Sequence, residues 1–310
     1  MTVAYQLADV DVGPSVVTIG NFDGVHRGHQ VLLRRTVDAG LSRDIRSVAI
    51  TFDPHPAVVV RPGSQPKRLT TLDDKIELLR DHGVDLVVVL PFTRQISMLS
   101  PQQFIQHVLI DQFDCRRVII GTNFRFGTGA SGDIVTMSED GRFEVEGVSI
   151  QHIGGKPVSS SAIRDALAAG DVEFASAALG RPYRLAGEVV RGDGRGRTIG
   201  VPTANLAVPE DLAVPANGVY AGRATVDNRD YLAAVNIGVR PTVAADNART
   251  VEAHLIDFTG DLYGRSVPVT FEQRLRAEQS FPSVDALVAQ IHRDIEHARR
   301  WGSHRQPQPR

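Results

Sequence analysis

The sequence predicts an α/β domain with a parallel sheet, followed by an all-β domain that closes with a helix. Its 310 residues, of which 42% are hydrophobic and 23% charged, fit two globular domains of ordinary composition. The first half alternates β-branched runs with helical patterns, which is typical of a parallel sheet covered by helices. The second half carries short alternating segments divided by Gly, Pro, Asn and Asp, which predict an antiparallel sandwich or a small barrel.

In the first half, apolar runs and apolar residues at helical spacing define the elements. Gly40 and Gly83 are predicted to stop the first two helices, and Pro101 is predicted at the first position of the third. Strands are predicted over residues 15–20, 47–52, 84–90 and 117–121, and helices over residues 27–39, 72–82 and 101–113. Ligands of such sheets bind beyond the carboxyl ends of the strands.

The domain boundary is predicted near residue 182, where the helical pattern gives way to short strands. Two short helices over residues 159–179 precede it, separated at Gly170. The domains are therefore expected over residues 1–182 and 183–302, with a disordered tail over residues 303–310. The later strands are predicted over residues 185–191, 218–226, 231–237, 250–256 and 266–271, and the closing helix over residues 284–301.

Composition and charge exclude several classes of protein. The net charge of −2 argues against binding nucleic acid through bulk positive charge. The single cysteine, Cys115, cannot form an internal disulfide, which favours a reducing compartment. The longest apolar run, residues 84–92, is too short to span a bilayer, and the first residues do not resemble a signal peptide. We expect a cytoplasmic protein with no membrane or nucleic-acid partner.

The densest motif is GNFDGVHRGH, residues 20–29, between the first predicted strand and the first predicted helix. His26 and His29 are three residues apart at the helix start, where free backbone N–H groups favour anions. Gly24 and Gly28 allow the backbone to approach a ligand closely. Two imidazoles in this place can bind a phosphate and stabilise charge that develops on it. The alternatives are structural capping and a zinc pair, for which no third ligand lies nearby.

The string HRGH, residues 26–29, resembles the HxGH motif of the nucleotidyltransferase superfamily, whose members transfer a nucleoside monophosphate from ATP and release pyrophosphate. VSSSAIR, residues 158–164, resembles the second motif of that superfamily, a serine loop at a helix start. Serines cap helices and bind phosphate, and an arginine can clamp phosphate through two hydrogen bonds. The resemblance implies catalytic roles for His26, His29 and Arg164. It implies nucleotide or phosphate binding by Gly20, Asn21, Phe22, Asp23, Gly24, Ser160 and Ser161.

Two further strings narrow the family. TFDPHP, residues 51–56, and GTNFRFG, residues 121–127, each follow a predicted strand. Both are similar to the adenylyltransferase module of bacterial bifunctional riboflavin kinase/FAD synthetases. The resemblance implies that Phe52, His55 and Asn123 lie at the flavin and ATP site. Taken alone, each string is also typical of an ordinary loop at a strand end.

The second half has its own phosphate motif, GDGRGRTIGVPTAN, residues 192–205. A glycine-rich loop can wrap backbone N–H groups around phosphates, although a flexible surface turn is the alternative for the glycines alone. The full string resembles the riboflavin kinase motif. It implies phosphate binding by Gly192, Gly196, Arg197, Gly200 and Asn205. It also implies that Thr203 and Asn205 hold Mg²⁺ with their oxygen atoms.

The segment VEAHL, residues 251–255, alternates, so Glu252 and His254 share one face of a strand. A solvent-facing polar position is the alternative for Glu252. In riboflavin kinases the matching glutamate takes the proton of the ribityl hydroxyl, which implies that role for Glu252. RAEQSF, residues 276–281, resembles the segment near the kinase flavin site and implies flavin binding by Arg276 and Phe281.

A competing motif, GTGASG over residues 127–132, matches the dinucleotide fingerprint G-x-G-x-x-G. That fingerprint requires a strand directly before it and a helix directly after it. Here a loop separates the match from its strand, and residues 133–137 are predicted as β-like. We therefore expect no NAD binding at this site. The sequence also contains no P-loop motif.

The resemblance extends over residues 13–301. It implies a Rossmann-like nucleotidyltransferase domain with a parallel sheet, then a small antiparallel β-barrel riboflavin kinase domain with a C-terminal helix. It implies phosphorylation of riboflavin to FMN and adenylylation of FMN to FAD, with ATP as co-substrate and Mg²⁺ as cofactor. Departures are Val243, where the family often has Phe, and a less basic stretch over residues 128–131. The alternatives are a protein with one active module and a non-enzymatic flavin or nucleotide sensor.

Overall fold

The structure is a computed structural model that describes residues 2–5, 13–192, 196, 199–239 and 249–303. It divides into two compact units, Met1–Ser160 and Ser161–Arg310. In the described residues, no helix is long and apolar enough to cross a membrane. The predicted division at residue 182 remains a prediction. By packing, the two helices before that residue belong to the second unit, where Arg274 donates to the carbonyl oxygen of Ala169 (3.1 Å).

The first unit is built on a six-stranded sheet in which every neighbouring pair is parallel. Its strands are β1 (Thr2–Ala4), β2 (Ser15–Ile19), β3 (Arg46–Asp53), β4 (Leu86–Pro91), β5 (Cys115–Gly121) and β6 (Glu144–Val148). The order across the sheet is β1-β4-β3-β2-β5-β6. β2 is buried along its whole length, as expected for a central strand covered on both faces. A two-stranded hairpin follows, β7 (His152–Ile153) and β8 (Lys156–Pro157).

Helices cover both faces of this sheet. They are α1 (Arg27–Arg43), α2 (Pro56–Val60), α3 (Leu72–Asp81), α4 (Arg94–Ser97), α5 (Pro101–Phe104) and α6 (Ile134–Glu139), with a π-helix over Ile105–Ile110 and a 3₁₀ turn over Thr128–Ala130. Leu33 and Leu79 of α1 and α3 pack in the core on one face. Phe104, Val108 and Met137 pack in the core on the other. The first unit is therefore a three-layer α/β domain.

The strand order places the carboxyl ends of β2 and β5 side by side. The chain moves outward from β2 through β3 to β4, then returns to β5 on the other side of β2. Open α/β sheets bind ligands at such a reversal of strand order. The segments that leave this edge are residues 20–26 after β2 and 122–127 after β5, which carry two of the predicted motifs.

The second unit is an antiparallel barrel with helices around it. Its elements are α7 (Ser160–Ala169), α8 (Val172–Leu179), β9 (Tyr183–Val190), β10 (Ala204–Ala207), β11 (Gly218–Val226), β12 (Arg229–Val239), β13 (Arg249–Leu255), β14 (Ser266–Phe271), β15 (Gln273–Ala277) and α9 (Val284–Ser303). The pairing runs β12-β13-β10-β9-β14-β11, and β11 pairs back to β12. These six strands close the barrel, and β15 adds to β11 outside it. The predicted fold class, including the C-terminal helix, is confirmed.

α9 packs on the outside of the barrel through an apolar face that includes Ile295 and Ala298. A buried ion pair anchors it as well. Arg276 of β15 donates three hydrogen bonds to the carboxylate of Asp294, at 2.8–3.1 Å. The exposed fractions of the two side chains are 19% and 5%, so this pair is sheltered from solvent screening.

We expect Asp294→Ala to lower the free energy of unfolding by about 3 kcal/mol, because it leaves the sheltered Arg276 guanidinium without its carboxylate. The fluorescence of Trp301, the sole tryptophan, reports unfolding of α9 during a urea titration. Glu296→Ala on the same helix removes an exposed carboxylate and should change stability by less than about 0.5 kcal/mol. Equal effects of the two substitutions would contradict the anchoring role of Asp294.

Several details differ from the sequence prediction. The prediction that Gly40 ends α1 is wrong: the helix continues to Arg43, and Asp44 forms its left-handed cap. A Cβ on Gly40 would lie 2.9 Å from the carbonyl oxygen of Ile45, so glycine serves close packing here. Residues 134–139 form a helix capped by Asp133, whereas a β-like segment was predicted. Six short strands were not predicted, namely β1, β6, β7, β8, β10 and β15.

Candidate functional sites

The first site begins in the strained loop that follows β2. Phe22 and Val25 have positive φ angles of 48° and 39°, and Gly24 has a φ of 79°. Positive φ is unfavourable for side chains such as valine, so the surroundings must hold this loop in place. Asp23 contributes to this, because its carboxylate accepts the backbone N–H groups of Leu69 (2.9 Å) and Thr70 (3.3 Å). Asp23 thus fixes the loop after β2 to the segment that contains Leu69 and Thr70.

His26 and His29 form a stacked pair at the start of α1. Their ring centroids are 3.6 Å apart and the planes differ by 16°. His26 is the N-cap, and its Nδ1 accepts the backbone N–H of His29 at 3.3 Å. The neutral His26 ring therefore carries its proton on Nε2. Glycine at position 28 makes room for this geometry, since a Cβ there would lie 3.1 Å from the His26 ring.

Burial keeps His29 neutral. It lowers the pKa of His29 well below the ordinary value, and His26, whenever its ring is protonated, and the Lys75 ammonium lower it further. The ring of Phe22, which is fully buried, lies edge-on to His29 with the centroids 5.0 Å apart. Among the described residues, His29 Nδ1 has no hydrogen-bond partner. The pair therefore offers neutral imidazoles beside a helix N-terminus, which suits hydrogen bonding to phosphate.

The serine loop follows β8. The Ser160 hydroxyl donates to the carbonyl oxygen of Asp23 at 2.9 Å, which links this loop to the strained segment after β2. Ser161 and Arg164 lie on α7, in the second compact unit. Both remain predicted site residues.

The loops after β3 and β5 carry the predicted flavin residues. His55 caps α2 through Nδ1, which accepts the N–H of Ala57 (3.1 Å), and its Nε2 lies 3.3 Å from Asn21 Nδ2. Phe52 is the last residue but one of β3, and its ring is perpendicular to that of Phe92. Asn123 folds back over the end of β5, where its Oδ1 would lie 2.9 Å from a Cβ on Gly121.

A pocket lies between the loop after β2 and the end of β3. It is lined by Asn21, Asp23, Phe52, Asp53, His55, Arg68, Thr70, Leu72 and Lys75. Four of the nine are predicted site residues. Arg68 and Lys75 were not predicted, because nothing in their local sequence marks them as ligands. Burial lowers the pKa of Lys75 to about 8, against the opposing effect of Asp23 and Asp53.

The second site lies on one cross-strand row of the barrel. The register places Asn205 of β10 opposite Glu252 of β13, and Glu252 opposite Asn236 of β12. Directly opposite residues share a sheet face and lie about 5 Å apart, so the three side chains are neighbours. The row continues through Val219 to Arg276. The predicted base and the predicted metal ligand are therefore adjacent, and the predicted flavin residue lies on the same row.

Two glycines of the second motif pack against the segment that leads into β10. A Cβ on Gly192 would lie 2.4 Å from Asn205 Nδ2, and one on Gly196 would lie 2.4 Å from the carbonyl oxygen of Val201 and 3.3 Å from Thr203 Oγ1. Gly200 has a φ of 78°, which favours glycine. Arg197 lies outside the described residues.

The segment that carries Thr203 is fixed by His254. The Nδ1 atom of His254 lies 2.8 Å from the carbonyl oxygen of Pro202, and it donates its proton to that oxygen. His254 shares its strand face with Glu252, so one strand supplies both the predicted base and a support for the predicted metal ligand. Arg276 is held by Asp294, and its guanidinium lies 5.7 Å from the ring of Phe281.

We expect Gly192→Ala to reduce the activity of the second site by about 10²-fold, because the new methyl group overlaps the side chain of Asn205 and a misplaced ligand is costly in an active site. The KM for ATP and the kcat of riboflavin phosphorylation measure this effect. FAD formation from added FMN, carried out by the first unit, should stay within about twofold of the wild type if the two sites act separately. Unchanged phosphorylation would contradict the packing of Gly192 on Asn205.

Two family models match the two halves of the chain separately, and known relatives match nearly all of it. The family model described as FAD synthetase matches residues 9–162, and the one described as riboflavin kinase matches residues 179–302. Bifunctional riboflavin kinase/FMN adenylyltransferases from Pseudomonas fluorescens and Escherichia coli (strain K12) are each 39% identical to the chain. The match covers 92% of both chains for the first relative and 90% of both chains for the second.

A solved structure described as a macrolide-efflux protein from Streptococcus pneumoniae is similar over the whole length. It is 30% identical with a TM-score of 0.89, and the match covers 97% of this chain and 99% of that one. The similarity therefore extends over both units, and the two family models account for nearly all of it. The chain belongs to the family of bifunctional riboflavin kinase/FMN adenylyltransferases.

Proposed function

We propose that the chain makes FAD from riboflavin in two ATP-dependent steps, with one site in each unit. The barrel phosphorylates riboflavin to FMN and releases ADP. The α/β unit transfers AMP from a second ATP to FMN and releases pyrophosphate. The observation that carries this proposal is that each unit has its own arrangement for phosphate chemistry: the stacked His26–His29 pair in one, and the Asn205–Glu252 row in the other.

In the kinase step, Glu252 acts as the general base. Its carboxylate takes the proton of the ribityl 5′-hydroxyl as the oxygen attacks the γ-phosphorus of ATP, and the bond to the β-phosphate oxygen breaks. The loop over residues 192–200 binds the phosphates, with Gly192, Gly196, Arg197 and Gly200 as its predicted contacts. Arg276 and Phe281 are the proposed residues on the flavin side.

The residues around Thr203 suit a magnesium ion that arrives with ATP. Thr203 Oγ1 and Asn205 Oδ1 are oxygen donors, and Mg²⁺ prefers oxygen ligands, water and substrate phosphates to an all-protein cage. Among the described residues, no three or more His, Cys, Asp or Glu side chains are grouped so that they could hold a metal ion. When bound there, Mg²⁺ would offset the negative charge of the phosphates.

In the adenylylation step, the phosphate of FMN attacks the α-phosphorus of ATP and pyrophosphate leaves. No proton needs to be removed from this nucleophile, so the residues act by placement and by stabilising charge. His26 donates from Nε2, His29 is neutral, and the free N–H groups at the start of α1 point towards an anion. Gly20, Asn21, Gly24 and Ser160 are the proposed phosphate-side residues of this unit, and phosphate binding by Ser161 and Arg164 of α7 stays a prediction from the sequence. Phe52, His55 and Asn123 are the proposed flavin-side residues.

The experiment is a time course with purified protein, riboflavin, ATP and Mg²⁺, in which flavins are separated by chromatography and pyrophosphate is measured. We expect FMN to appear first, followed by FAD and pyrophosphate in equal amounts. FMN without FAD, also when FMN is supplied directly, would show that only the kinase is active. Binding of flavin without any product would favour a sensor.

A further inference from the structure

We infer that Lys75 is a positioning residue for FMN adenylylation: its ammonium group holds together the two loops that carry Asn21 and His55. This inference deepens the proposed function and rests on it. Lys75 lies in the first turns of α3, at the carboxyl edge of the sheet. No predicted motif includes it.

The contacts of Lys75 reach both loops. Its Nζ donates to the carbonyl oxygen of Asn21 at 3.3 Å and to that of Phe52 at 3.2 Å. The first carbonyl belongs to the loop after β2, and the second to the end of β3. The side chains of Asn21 and His55, carried by these two segments, lie 3.3 Å apart. One ammonium group therefore joins the backbones whose side chains meet in the pocket.

The position of this charge is unfavourable for folding, which points to a role in the site. Burial is the largest influence on the Lys75 ammonium and disfavours its charge. Asp23 and Asp53 favour the charge, whereas Arg68 opposes it, as does His29 in its charged form. His55 lines the same pocket. Lys75 is only partly exposed, and a charged group with a shifted pKa in a pocket is characteristic of functional sites.

The composition of the chain adds a second observation. Only 3 of its 34 basic residues are lysines. A lysine offers a compact ammonium with three donors, whereas the planar guanidinium of arginine is larger and differently directed. Two carbonyl oxygens at 3.3 and 3.2 Å from one nitrogen atom suit the smaller group.

The test uses the full chain and the variants Lys75→Met and Lys75→Arg, with Lys67→Met as the matched control at an exposed lysine. FAD formation from FMN and ATP is measured from pH 6.5 to 9.5, with riboflavin phosphorylation by the same preparation as the internal reference. We expect Lys75→Met to lower kcat for FAD formation by about tenfold or more, since misplacing site residues by a fraction of an ångström is costly. Phosphorylation and the Lys67→Met variant should stay within about twofold of the wild type, as expected for sites that act independently.

The pH profile separates positioning from stability. As pH rises through about 8, Lys75 loses its proton, so wild-type FAD formation should fall about tenfold between pH 8 and 9.5. The stability of the folded chain should change with pH in the opposite direction. Because the pKa is lower in the folded than in the unfolded chain, stability should rise between pH 8 and 10.5. Lys75→Arg keeps its charge throughout this range, so its profile should lose the alkaline decline.

Three results would overturn the role of Lys75: an unchanged rate and pH profile in Lys75→Met, an equal loss of both activities, or an alkaline decline that persists in Lys75→Arg. If Lys75→Met unfolds, the pH profile of FAD formation by Lys75→Arg alone decides whether Lys75 is a positioning residue. The wild-type protein separates this inference from the proposed function. A wild-type chain that makes no FAD from FMN refutes the adenylyltransferase assignment itself. An active wild type with unaffected Lys75 variants refutes only the positioning role.

Discussion

Glu252→Gln should reduce FMN formation by about 10²–10⁴-fold, the usual contribution of a general base. Glutamine keeps the size of the side chain and can still form hydrogen bonds, but it cannot accept the proton of the ribityl hydroxyl. Conversion of added FMN to FAD should remain at the wild-type rate, because that site lies in the other compact unit. Chromatography of flavins with riboflavin or FMN as the starting substrate measures both steps in one preparation.

The control for Glu252 is Glu188→Gln, the same substitution at an exposed glutamate on β9 of the same barrel. It should leave both activities within about twofold of the wild type, as is usual for surface substitutions. Phosphorylation that survives in Glu252→Gln would exclude this residue as the base. An equal loss of both steps would show that Glu252 is needed for the folding of the chain and not for phosphorylation alone.

His26→Asn should reduce FAD formation from FMN by about 10²–10³-fold, the usual effect of losing one donor to a developing negative charge. Asparagine is an efficient N-cap, so its Oδ1 can accept the N–H of His29 in place of His26 Nδ1. The variant therefore retains the start of α1 and loses the Nε2 donor. FMN made from riboflavin should accumulate, and kcat for adenylylation measures the loss.

Two variants complete this experiment. His26→Ala removes both the cap and the donor, so it should be as inactive as His26→Asn and also less stable by about 1 kcal/mol. His152→Asn makes the same change at an exposed histidine of the first unit and should have no effect on either step. Full adenylylation activity in His26→Asn would show that His26 serves only to cap the helix.

Long periodic segments made the fold predictable from the sequence. The buried run of β2 and the apolar faces of α1 and α3 are strong local signals, because each face must pack against a sheet. Short elements were missed because their local signals are weak. β1 and β10 have three and four residues and form only by pairing with strands far away in the chain. The end of α1 was predicted wrongly at Gly40 because glycine occurs both at helix ends and where two segments pack closely.

The sites were predictable where a continuous motif carries them, as in residues 20–29. Contacts that depend on tertiary structure could not be predicted from the sequence. Asp294, which holds Arg276, lies 18 positions away along the chain. The opposition of Asn205 and Glu252 follows from strand register, which local sequence does not encode. Lys75 has an ordinary place in an amphipathic helix, and its burial beside two carbonyl oxygens arises only when α3 packs at the sheet edge.

The central claim is that one chain carries out two different transfers from ATP, and isotope labelling tests it most directly. The protein is incubated with riboflavin and Mg²⁺ and with ATP labelled with ³²P either at the γ-phosphate or at the α-phosphate. The account predicts that FMN carries only the γ label and that FAD carries both, since its two phosphates come from different ATP molecules. FAD that lacks the α label, or FMN that carries it, would contradict the account.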